Sequence, residues 1–151
     1  MGLDCSHNAF HGAYSAFNRL RQFVCRSTGG SFPPHYRYND DGTILKDPKT
    51  GFPVVDEKLK QDWFYCGENF TKEEWPGLFE FLEHSDCDGE ISPEMCALVA
   101  DDLERLLPEM EKIQWIASGH LEREGGYISV INQFVEGCRQ AAENNEPLLF
   151  G

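Results

Sequence analysis

The sequence predicts a mainly α domain, with α+β as the alternative: a compact helical domain carrying a short β-hairpin or loop insertion after its first helix. Three observations lead there. Apolar residues recur at three- and four-residue steps in several separate segments, as on one face of a helix. Residues that start and stop helices bracket those segments. The stretch from Ser31 to Asp62 interrupts the pattern with clustered Pro, Gly, Asn and Asp. At 151 residues a single domain over 1–151 is expected, with 31–62 as the insertion.

The first helix is expected from about Asn8 to Arg26, with Phe10, Ala13, Tyr14, Phe17, Leu20, Phe23 and Val24 on its apolar stripe. Ser6 or Asn8 would cap it, and Ser27-Thr28-Gly29-Gly30 would end it. Arg19, Arg21 and Arg26 fall off the stripe or near the end, where arginine also complements the helix dipole. In the insertion, His35-Tyr36-Arg37-Tyr38 and Thr43-Ile44-Leu45 flank an Asp-Gly turn, which predicts a short hairpin. Trp63, Phe64, Tyr65 and Phe70 form an aromatic cluster expected to pack on the core. A helix through Trp75, Leu78, Phe79 and Leu82 follows, its start limited by Pro76. Ser92-Pro93 opens the next, with Ser as cap and Pro at the first helical position. Pro108 is expected to stop or kink that helix, and 109–124 to form another. Tyr127 to Ala142 predicts a last amphipathic helix, followed by the apolar tail Leu148-Leu149-Phe150.

Thirteen basic and twenty-six acidic residues give a net charge of -13. A chain this acidic repels bulk nucleic acid, so general DNA or RNA binding is not expected. The charge is uneven. From residue 1 to 50, six basic residues stand against four acidic ones, so the acidic excess lies in the remainder. The N-terminal third is also aromatic, through Tyr14, Tyr36 and Tyr38 beside Arg19, Arg21, His35 and Arg37. That combination suits stacking and phosphate contact. No apolar stretch is long enough to span a membrane. The start MGLDCS lacks the form of a secretory signal, though it fits the loose N-myristoylation pattern. Six cysteines without a CxxC pair fit reduced thiols, with Cys96 and Cys138 on apolar helical faces.

The stretch from Leu78 to Cys96 resembles an EF-hand: helix, acidic loop with Gly and Ile, helix. With Gly89 at loop position six, Asp86 and Asp88 take positions three and five, Glu90 seven, Ile91 eight and Ser92 nine. His84 stands at position one and Met95 at position twelve, where the family places carboxylates. The resemblance implies a degenerate calcium-binding module. The competing reading is an Asp-Gly loop whose carboxylates cap the backbone N–H groups of Glu90 and its neighbours. The segment His84 to Ser92 also resembles the HxDxDGxxS motif of DHH-type phosphoesterases, but the chain has no DHH triplet. A third reading is a divalent metal site in which His84, Asp86 and Asp88 combine with His7 or His11. It would serve a hydrolase of a phosphorylated small molecule. No Walker loop, Rossmann glycine pattern, GxSxG elbow or HExxH occurs, and no Ser–His–Asp triad follows from spacing.

The start MGLDCSHNAFHGAYSAFNRLR, the central HSDCDGEIS with its following LERLLP, and the close NQFVEGCRQAAENNEPLLF together resemble a family of small phage and prophage proteins. This implies a protein of the bacterial host cytosol. Proteins of that kind often counter host defence, some by sequestering nucleotide immune signals and some by blocking a host protein. The expected function is therefore a non-enzymatic binding protein for an anionic, nucleotide-like ligand or a host defence protein, with a homo-oligomer left open. The candidate ligand-binding residues are His7, His11, Arg19, Arg21 and Tyr36. The candidate metal ligands are His84, Asp86 and Asp88.

Overall fold

The computed structural model describes residues 2–59, 63–113 and 126–151. Its elements are β1 (Gly2–Asp4), β2 (His11–Ala13), α1 (Tyr14–Ser27), α2 (Pro76–Glu83), β3 (Glu90–Ile91), α3 (Pro93–Lys112), α4 (Gly126–Glu143) and β4 (Leu148–Leu149). Helices dominate, as the periodicity predicts. Two small antiparallel pairs form: β1 with β2 as a local hairpin, and β3 with β4 between distant parts of the chain.

The first helix starts later than its apolar pattern. Residues 2–13 form a β-hairpin in which Gly2 pairs with Ala13 and Asp4 with His11. The connecting turn needs left-handed backbone at His7 (φ 57°) and Asn8 (φ 56°), which no α-helix admits. Neither Ser6 nor Asn8 caps α1; the flanking residue is Ala13, with no side-chain cap. Phe10 is buried nonetheless, from the turn rather than from a helix face.

Phe17 of α1 occupies the centre of the core. Its ring lies 5.0 Å from Phe10, 5.6 Å from Phe81, and 6.1 Å from both Phe134 and Phe150. Edge-on aromatic pairs at these separations add about 0.5–1.5 kcal/mol each beyond their burial. Leu78, Leu82, Val99, Leu103, Ile131 and Phe134 close the rest of the interior.

Pro76 takes the first turn of α2, where its missing N–H costs nothing. No local side chain caps that end. Asp102 of α3 does so from across the interface: its Oδ2 accepts from the Leu78 N–H at 2.9 Å, and its Oδ1 from Arg105 at 3.2 Å. Arg105 in turn lies 3.8 Å over the Trp75 ring. Ser92 caps α3 as its position predicts, accepting from the Met95 N–H at 3.2 Å.

Pro108 does not end α3, which runs on to Lys112. An interior proline costs about 3 kcal/mol. Leu103, Leu106 and Met110, buried on either side of it, recover about 1.5–3 kcal/mol each. Of the helix expected over 109–124, residues 109–112 belong to α3, and 114–124 lie outside the described residues. The apolar tail is not loose either. Leu148 and Leu149 pair with Ile91 and Glu90, and the Phe150 N–H donates to the Gly89 carbonyl at 2.9 Å.

The expected hairpin in the insertion forms, with Tyr38 opposite Ile44. A third segment completes it. The Arg37 N–H donates to Val54, the Val54 N–H to Leu45, and the Leu45 N–H to Arg37, each at 2.9 Å. This closed ring of three hydrogen bonds leaves no free strand edge at its centre. Among the described residues no helix is long and apolar enough to cross a membrane.

Candidate binding cleft at the end of the first helix

The last turn of α1 satisfies its own carbonyls. Ser27 Oγ donates to Val24 and Thr28 Oγ1 to Cys25, both at 2.6 Å. The Gly29 and Gly30 N–H groups donate to Arg26 and Cys25, both at 3.0 Å. The chain then passes directly against residues 65–66. A Cβ on Gly30 would collide with the Tyr65 carbonyl and lie 2.8 Å from Cys66 Cα, so the close approach requires glycine. Ser31 and Tyr65 exchange both backbone hydrogen bonds, at 3.0 and 3.1 Å. This neck closes the insertion on itself.

Beyond the neck, the insertion folds over the end of α1 and leaves a cleft of about 410 Å³. Arg26, His35, Tyr36, Arg37, Asp56 and Tyr65 supply its polar and aromatic walls. Asp56 is the only carboxylate among the described lining residues, and its Oδ1 accepts from the Lys58 N–H at 3.1 Å. Among the described residues, neither Arg26 nor Arg37 lies within ion-pair distance of a carboxylate. The Arg26 guanidinium sits 4.6 Å from the Tyr38 ring centroid and that of Arg19 5.8 Å. Tyr38 donates to Gln22 Oε1 at 2.5 Å, and Arg19 donates to the same oxygen at 2.9 Å. Burial pushes the Tyr38 hydroxyl up to about 12, so it remains a neutral donor at pH 7. His35 is buried in the wall, with its Nδ1 2.8 Å from Ser31 Oγ. The result is a locally cationic, aromatic recess on a strongly acidic protein. Guanidinium groups bind phosphate or carboxylate in pairs of hydrogen bonds, and tyrosine faces stack on planar rings.

The structure sorts the sequence candidates differently from their spacing. Tyr36 lines the cleft. Arg19 lies behind it, on the Tyr38 ring. Arg21 is 4% exposed and turned inward: its guanidinium lies 4.5 Å from the Phe17 centroid, and it donates to the His84 carbonyl at 2.5 Å. Burial lowers it to about 10. It is therefore a fastener between α1 and the acidic loop and not a ligand contact. His7 and His11 are in the N-terminal hairpin, His7 with Glu146 at 3.4 Å and His11 with Asp4 and Asn8. Arg26, Asp56 and Tyr65 line the cleft without having been ligand-binding candidates in the sequence. Their only signal is Arg26 just before Gly29-Gly30; the partners across the neck follow from long-range pairing.

The acidic loop keeps the order of an EF-hand, with α2 before it, α3 after it and Gly89 at φ 93° for the sharp turn. Its interior is filled by its own histidine. His84 Nε2 faces the Glu90 carbonyl at 3.0 Å and Nδ1 the Ser85 carbonyl at 2.8 Å. The same ring lies 4.2 Å from Phe150. Asp88 accepts from Ser85 Oγ at 2.9 Å, and Ser85 Oγ, not an aspartate, accepts from the Cys87 N–H at 3.3 Å. Among the described residues no group of three or more His, Cys, Asp or Glu could hold a metal ion. His84, Asp86 and Asp88 are thus not gathered as ligands. His7 and His11 do not complete such a set either, among the described residues. The chain matches no protein-family model, no curated protein and no solved structure.

Proposed function

We propose that the protein binds a small, planar, phosphorylated molecule of nucleotide type in the cleft at the end of α1, and sequesters it. One observation carries this reading: Arg26 and Arg37, without a carboxylate partner among the described residues, line a 410 Å³ recess together with Tyr36, Tyr38 and Tyr65, the Arg26 guanidinium lying on the Tyr38 ring. That volume falls in the range of small-molecule sites, about 300–1,000 Å³. The overall charge of -13 opposes an anion at long range. At physiological salt this repulsion is screened beyond about 8 Å, whereas contacts inside the cleft are not. Arg26 and Arg37 would take the phosphate, Tyr36 and Tyr65 the ring, and Asp56 a donor on the ring or sugar. Sequestration of a nucleotide immune signal, as the resemblance to small phage proteins implies, is the role such a site would serve in the bacterial cytosol.

Native mass spectrometry of protein purified from cells, followed by denaturing release, tests the reading. An intact phosphorylated adduct is expected. Equilibrium dialysis then compares nucleotides with inorganic phosphate and free nucleoside. Arg37→Ala, an exposed substitution, should weaken nucleotide retention at least tenfold with the melting temperature unchanged. Equal retention by the variant sinks the proposal, and a bare wild-type protein with no nucleotide affinity redirects it to a host protein partner.

A second reading has one contact in its favour. Ser31 Oγ and His35 Nδ1, 2.8 Å apart in the wall, form the minimal nucleophile–base pair of a hydrolase. Product rather than intact ligand on denaturation, lost in Ser31→Ala, would select it.

A further inference from the structure

We propose that Cys25 and Cys66 are a redox-active pair whose reversible disulfide fastens the neck of the insertion beneath the cleft. Cys25 lies in the last turn of α1, and Cys66 follows Tyr65 on the opposite side of the neck. The backbone holds the two together. The Cys25 carbonyl accepts from the Gly30 N–H at 3.0 Å, and a Cβ on Gly30 would lie 2.8 Å from Cys66 Cα. The Gly67 N–H donates to Thr28 Oγ1 at 3.3 Å. The two cysteines thus flank the same backbone contact, on either side of Gly30. All six cysteines are free thiols in this structure.

Their surroundings assign the roles. Cys66 is half-buried and reachable from solvent. The neighbouring Cys25 thiol favours its thiolate and lowers it from the ordinary thiol range. Cys25 is fully buried, and burial pushes its thiol up. A partly exposed, low-lying thiol beside a buried resolving thiol is the arrangement of a redox-sensitive pair. Cys96 and Cys138 offer an internal contrast. They lie on the packed helices α3 and α4, and both are fully buried, where no oxidant reaches. Cys87 is exposed without a thiol neighbour among the described residues, its sulfur facing Ser85 Oγ at 3.4 Å.

A low-molecular-weight disulfide such as oxidised glutathione is the oxidant. The Cys66 thiolate attacks one of its sulfurs, the oxidant's S–S bond breaks, and the departing thiolate takes a proton. Cys25 then attacks Cys66 Sγ in the mixed disulfide. Its proton passes to the second departing thiolate. Two protein thiols are oxidised, and one external disulfide is reduced to two thiols. The new bond ties the end of α1 to residue 66 and encloses the whole cleft-bearing segment.

The test incubates the folded protein with oxidised glutathione, alkylates it, digests it without reduction and maps the peptides by mass. A Cys25–Cys66 linked pair, lighter by two hydrogens and restored by a thiol reductant, is expected. Cys96 and Cys138 should stay unlinked. In Cys25→Ser the reaction should stop at glutathione on Cys66. Hydrogen exchange over residues 36–56 should slow in the oxidised protein, and its melting temperature should rise by about 5 °C or more. Wild-type protein carrying only glutathione at Cys66, or a Cys96–Cys138 link forming first, overturns the proposal.

Discussion

The helical body and the insertion are held by different forces. In the body, α1, α2, α3 and α4 bury large side chains around Phe17, and the rings of Phe10, Phe81, Phe134 and Phe150 pack on it directly. In the insertion, few side chains are buried. Phe52 at a turn is 71% exposed, and Phe32 and His35 near the neck are its buried anchors. There the backbone holds itself, through the ring joining Arg37, Leu45 and Val54, and through Asp41, Asp47 and Asp56, which each accept the N–H two residues on. A segment stabilised by its main chain leaves its side chains free to serve a ligand. That is why the arginine and tyrosine recess lies on the insertion, while the arginine that entered the body, Arg21, became a structural contact.

The largest blow to this contrast is expected from Phe17→Ala. Removing the hub should cost about 3–5 kcal/mol in urea denaturation and lower the protection of every helix together. A loss under about 1 kcal/mol would mean that the body does not depend on this centre. Gly30→Ala comes next. Its Cβ cannot coexist with the Tyr65 carbonyl, and a cost of about 2 kcal/mol should fall on the neck. Hydrogen exchange should quicken over residues 36–56 while α3 and α4 keep their protection. If all regions open together, body and insertion are one cooperative unit. Ser92→Ala removes the cap of α3 and should cost about 1 kcal/mol in the body alone, with nucleotide retention unchanged. The smallest effect is acidification. The Thr43 hydroxyl and N–H hold the Asp41 carboxyl below its ordinary value of 3.8. A depressed carboxyl stabilises above the unfolded value, and its contribution is lost as pH falls through the folded one. Amide shifts around Thr43 should therefore move at a pH below the ordinary aspartate range. A midpoint at or above it breaks the argument.

Legibility follows the range of the interactions. Ser92-Pro93 names the start of α3 because a cap and its N–H are three residues apart. The Asp-Gly turn names the hairpin for the same reason. The N-terminal stripe misleads, because Phe10 is as buried in a turn as it would be on a helix, and burial alone carries no record of backbone path. Pro108 misleads because its penalty is local while the burial of Leu106 and Met110 is not. Half of the cleft is similarly hidden: Tyr36, Arg37 and Tyr38 read as a basic aromatic run, but Tyr65 and Asp56 join them only across paired backbones.

The sequence by itself determined the helical class, the Asp-Gly hairpin, the Ser92 cap and the acid excess, since periodicity, turn chemistry and charge are properties of short stretches. Tertiary structure alone decided that Asp102 caps α2, that Arg21 is withdrawn from solvent, that His84 fills the acidic loop, and that Cys25 and Cys66 flank one neck. Each of these joins residues from separate segments, and which segments meet is set by the packing of the whole core.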